Sequence, residues 1–143
     1  MPTPYEKLAW VLGTKPVEIN FAEDAFTFSC GDATIRVTPI VWLEQSDCAA
    51  QVVAVGDDPP QSPANPVYLT SAQIDTLPVA TRQKALESLL DVGMRQLPSG
   101  RRLQRPVIVF RNDNILAHAF ENEQREALRQ VASAALAVEV RFE

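Results

Sequence analysis

Alternation of apolar and polar residues is the strongest pattern in the first third of the chain. Val17, Ile19 and Phe21 share one face of an extended segment, Phe26, Phe28 and Cys30 share a face of the next, and Ile35 and Val37 begin a third. A period of two belongs to strands with one buried face, so these runs predict an antiparallel meander. The breaks at Glu23-Asp24 and Gly31-Asp32 are short enough for hairpin turns. Pro39 cannot donate a ladder hydrogen bond, which predicts an edge, a bulge or a bend before Val41-Trp42-Leu43. Gln51 to Val55 reads as a fourth strand.

Helical spacing appears in three places. Pro4 to Leu12 forms a short amphipathic pattern with Leu8, Val11 and Leu12 on one face and a stop at Gly13. Thr70-Ser71-Ala72-Gln73 has the form of a capping box, and Pro78 opens a stronger helix that runs to Leu97. Leu86, Leu89, Leu90, Gly93, Met94 and Leu97 recur every three or four residues there, as one apolar stripe. Gly93 within that stripe predicts a close approach by a neighbour. Val107 to Phe110 reads as a strand, and Asn112-Asp113-Asn114 as a turn into Ile115 to Phe120, completing a hairpin. Asn122 is positioned to cap a final helix with Ala127, Leu128, Val131, Ala132 and Ala135 facing inward. Glu121 and Arg125 stand four apart in the favourable order for an ion pair. Val138, Val140 and Phe142 alternate to the end. The predicted order is α-β-β-β-β-α-β-β-α-β, an α+β fold whose sheet is mainly antiparallel and packs against two or three helices.

A length of 143 residues suits one domain, residues 1–143. Residues 57–66, with four prolines, predict a stiff irregular loop dividing an N-terminal meander from a C-terminal helix-hairpin-helix half. Hydrophobic residues make up 46% and charged residues 22% of the chain, a globular rather than a disordered balance. No apolar run is long enough to span a membrane, and the first thirteen residues lack the basic start and apolar core of a signal peptide. Two cysteines, Cys30 and Cys48, are too few for a secreted disulfide framework, so a cytoplasmic protein is expected.

Charge is unevenly placed. Residues 1–80 carry ten acidic groups against three basic ones, whereas residues 81–143 carry eight against ten. The acidic half argues against nucleic acid as a partner, because phosphate affinity comes mainly from lysine and arginine. Arg101, Arg102 and Arg105, with Arg111 nearby, remain a candidate anion-binding patch.

The chain offers little recognisable chemistry. His118 is its one histidine, and on a strand it would share a face with Leu116 and Phe120. No close cysteine or histidine pairs predict a metal site, and no glycine-rich loop predicts a nucleotide, so neither metal nor cofactor is expected. Adjacent acids such as Asp57-Asp58 and Glu23-Asp24 sit where turns are expected, not in opposed positions that would suit acid–base work. Tryptophan is enriched at binding hot spots, which makes Trp10 and Trp42 candidate anchors. Leu86, Leu90 and Met94 are candidates for a partner surface or a homodimer contact.

The element order and the acidic balance resemble the class I chaperones of bacterial type III secretion. The similarity is carried by an N-terminal helix ending in leucine-glycine (Leu8 to Gly13), a meander (Val17 to Val41), a leucine-rich helix (Ala85 to Leu97), a hairpin and a final helix. The proline-rich loop, the arginine group and the terminal strand depart from that pattern. The resemblance implies a homodimer that holds an extended segment of a secreted effector without any nucleotide. The expected function is therefore a non-catalytic protein-binding module. The alternative is a small enzyme or ligand-binding domain acting on an anionic substrate through the arginine patch or carboxylates.

Overall fold

A computed structural model describes residues 16–45, 50–61, 63–97, 107–134, 137 and 139–143. The helix expected at Pro4 to Leu12, with Trp10, lies outside these residues, as do Cys48 and the Arg101, Arg102 and Arg105 group. The rest forms two sheets and two helices, an α+β fold. No described helix is long and apolar enough to cross a membrane.

The meander is present. Strands β1 (Val17–Phe21), β2 (Phe26–Cys30) and β3 (Ala33–Val37) pair antiparallel in sequence. Alternation does what the sequence requires: Val17, Ile19 and Phe21 are buried while Glu18 and Asn20 are exposed. Gly31, at φ 61°, supplies the left-handed backbone that a two-residue hairpin turn needs. Thr38-Pro39 then bends the chain out of this sheet, and β4 (Ile40–Gln45) becomes the centre of a second one. Its neighbours are β5 (Ala50–Val55) and β6 (Asn65–Tyr68), both antiparallel. Residues 57–64 thus connect two strands of one sheet, and Asn65-Pro66 belong to β6, not to an irregular loop. Pro66 is tolerated because β6 is an edge strand, where a missing donor costs no interior ladder bond. Trp42 faces Ala54 and Leu43 faces Val52, which leaves Val53 as the extra residue of a bulge.

The 72–76 segment is a 3-10 turn followed by helix α1 (Val79–Gln96). The expected capping box does not form. Thr70 Oγ1 instead donates to Glu23 O (2.8 Å) and Ser71 Oγ to Tyr68 O (2.8 Å), tying the turn to its neighbours.

The largest difference from the sequence reading follows β7 (Val107–Arg111). Residues 113–116 form a 3-10 turn, not a returning strand, and the chain continues through helix α2 (Gln124–Ala134) to β8 (Glu139–Phe142). β7 pairs parallel with β1 on one side and with β8 on the other, giving the order β3-β2-β1-β7-β8. The expected hairpin is therefore a parallel crossover. A spacing near three explains the change: Leu116, Ala119 and Phe120 are buried while His118 is exposed, which alternation cannot do.

One face of the five-stranded sheet carries the core. Four aromatic rings cross it in a row, with centroids 4.8 Å apart for Phe26 and Phe21, 5.8 Å for Phe21 and Phe110, and 5.6 Å for Phe110 and Phe142. Gly93 of α1 sits directly over the ring of Phe28. On the other face, Arg111 bridges Glu18 and Glu143, both at 3.0 Å.

Candidate functional site

The chemistry-bearing side chains that the fold does bring together stand at the carboxyl end of β7. Asn112 leaves that strand with left-handed backbone, φ 60°, and the chain winds through one compact helical stretch to residue 120. Glu121 (φ 53°) and Asn122 (φ 70°) then unwind it. Asn122 N–H donates to Ala117 O at 2.8 Å, the six-to-one bond of a Schellman-type helix end, with glutamate where glycine is usual. Asn122 consequently precedes α2 without capping it in the way its sequence position suggested.

Facing this turn are the 72–76 turn and the start of α1. Arg82, in the first turns of α1, reaches across between them and is only 6% exposed. Its Nε donates to Leu77 O (2.9 Å), Nη2 to Asp75 O (3.0 Å) and Nη1 to Ala119 O (2.8 Å). One guanidinium thereby satisfies carbonyls from both sides, including two at the end of the 72–76 turn that have no helical partner. Above it, His118 Nε2 and Asp75 Oδ2 form a bond of 2.6 Å, with side-chain exposures of 59% and 40%.

Asp75, Arg82, Ala117, His118, Glu121 and Asn122 line an open cleft of about 360 Å³. That is the lower range for ligand pockets, which span ~300–1,000 Å³. The walls are tied by Arg82 and the mouth is polar. Among the described residues, no group of three or more histidine, cysteine or acidic side chains is placed to hold a metal ion.

A second polar cluster lies behind the same turn. Asp113 is buried and accepts from Arg125 Nε (3.0 Å) and Gln124 Nε2 (3.3 Å). Arg125 is therefore committed to Asp113, and the expected pair with Glu121 is not made. The guanidiniums of Arg125 and Arg129 lie 5.0 and 5.1 Å from the centre of the Phe142 ring.

The residues singled out by sequence fare differently. Leu86 and Leu90, expected at a partner surface, belong to the core, because the leucine stripe packs inward against the chain's own sheets. Met94 is half-buried against the same core. Trp42 is half-buried with its indole N–H donated to Gly56 O at 2.8 Å. Cys30 is buried in β2. His118 reaches the cleft, together with Glu121 and Asn122, which the sequence had marked only for an ion pair and a helix cap. Arg82 and Asp75 were missed. The signal for Arg82 was its phase: it stands four before Leu86 and seven before Leu89, in line with the apolar stripe.

No protein-family model matches the chain, and no curated protein matches it significantly.

Proposed function

We propose that this domain is a non-catalytic binding module that seats a segment of another polypeptide in the cleft between the 72–76 and 117–122 turns. The observation that carries this reading is Arg82, which ties carbonyls of both walls and so holds the cleft in one shape before a partner arrives. Preformed sites bind with less ordering cost than flexible ones. The cleft is polar and open, which suits a chain segment passing over it better than an enclosed small molecule. The meander and the acidic balance are the parts of the secretion-chaperone resemblance that support a polypeptide partner; the hairpin of that pattern is a parallel crossover here, so the reading rests on the cleft. The leucine stripe of α1 is consumed by the core, so a homodimer built on it is no part of the proposal.

The test is co-purification from native extract. The wild-type chain is expected to retain a stoichiometric polypeptide, and His118→Glu, which adds a carboxylate at the mouth without touching the core, is expected to lose it. Equal retention by both proteins contradicts the reading.

One observation favours a second reading. A histidine held at 2.6 Å by a carboxylate has a fixed orientation suited to accepting a proton. A catalytic role predicts that His118→Asn stays folded and loses a measurable turnover. Unchanged turnover in that variant removes the enzyme reading.

A further inference from the structure

Arg82 is anomalous as a buried cation. All three of its hydrogen bonds go to neutral carbonyl oxygens, and among the described residues no carboxylate forms an ion pair with it. A buried charge is normally matched by an opposite one, because desolvating it alone is costly. Two acids line the same cleft: Asp75 is engaged by His118, and Glu121 makes no ion pair with Arg82. A guanidinium carries five N–H groups in a rigid fork. Among the described residues three are used, which leaves one on each terminal nitrogen without a partner there, and Arg82 lines the cleft.

We infer that the cleft is a carboxylate-recognition site, in which a carboxylate of the bound segment supplies the missing counter-charge to Arg82. Planar, two-pronged pairing of guanidinium with carboxylate is the strong form of this contact, and a low-dielectric floor strengthens it further. The side-chain amide of Asn122, at the same cleft, adds a further donor. Glu121 at the rim is placed to accept from the segment's own N–H groups, so the site favours a carboxylate carried on a peptide over a bare polyanion. This inference rests on the cleft being the binding site, as proposed above.

The carboxylate has two sources, a chain terminus or an acidic side chain, and the probes separate them. Isotope-labelled protein is titrated with acetyl-Ala-Ala bearing a free C-terminus, with acetyl-Ala-Glu amide, and with acetyl-Ala-Ala amide, which has no carboxylate. Saturable amide shifts confined to residues 75, 82 and 117–122 are expected with one or both acidic peptides, and at least about tenfold weaker binding with the amide. Shifts with the first peptide alone assign a chain terminus; shifts with the second alone assign an acidic side chain. Arg82→Lys tests the fork directly but removes structural bonds, so Asn122→Asp is the companion variant, placing a negative charge in the cleft on an exposed turn. It is expected to weaken the acidic peptides by about tenfold or more. Equal binding of the amide peptide, no saturable shift with either acidic peptide, or an unchanged affinity in Asn122→Asp overturns the inference. If those fail while His118→Glu still abolishes co-purification, the binding reading stands and only the carboxylate is wrong.

Discussion

Gly93 of α1 lies against the ring of Phe28 in β2, so closely that a methyl group on Gly93 would overlap the ring. This contact limits how closely the helix can sit on the sheet. Gly93→Ala should gain helix propensity yet lose stability, because overpacking a filled core costs about 1–3 kcal/mol. Phe28→Leu should recover part of that loss in the double variant. Denaturant unfolding of the four proteins checks it; strictly additive effects would mean that the two residues do not meet.

Leu90 is 4% exposed and its stripe is part of the core. Leu90→Asp is therefore expected to abolish the fold, read as loss of far-ultraviolet circular dichroism and of cooperative melting. A folded, smaller particle by light scattering would instead show that the stripe joins two copies.

The buried Arg82 fork should matter more than its surface counterparts. Arg82→Met leaves the carbonyls of Leu77, Asp75 and Ala119 without that donor. Each unsatisfied buried group costs about 1–3 kcal/mol, so a large destabilisation is expected. Hydrogen exchange should speed up first at residues 117–122. By contrast Glu18→Gln, which removes an exposed partner of Arg111, should leave thermal unfolding nearly unchanged.

Arg125 and Glu121 offer a direct comparison between the contact expected from spacing and the contact made. Arg125 binds the nearly buried Asp113, so Arg125→Ala should cost about 1.5–3 kcal/mol, toward the lower end because the arginine is half exposed. Glu121→Gln should be close to neutral. The reverse ranking in thermal unfolding would contradict the assignment of Arg125 to Asp113.

These contrasts show what was legible in the sequence. The meander was, because alternation in Val17 to Val37 is a local signal and its turns carry their own residues. The α1 stripe was legible as a stripe, but not which surface would consume it. Parallel pairing of β7 with β1 and β8 was not, since partners far apart in sequence leave no local mark and Val107 to Phe110 reads alike in either direction. Ile115 to Phe120 was misread because an apolar run this short fits alternation and a helical turn equally. The cleft needed both errors removed: His118 meets Asp75 only when residues 117–122 turn instead of extending.

The most direct measurement places a photo-crosslinking side chain at position 118, which points from the mouth of the cleft, and a second at Thr34, exposed on β3 away from it. Irradiated in native extract, position 118 is predicted to yield one dominant polypeptide adduct that position 34 does not. That adduct should disappear when Asn122→Asp is added. No adduct at 118, or the same adducts from both positions, would contradict the claim that this cleft is where the domain holds its partner.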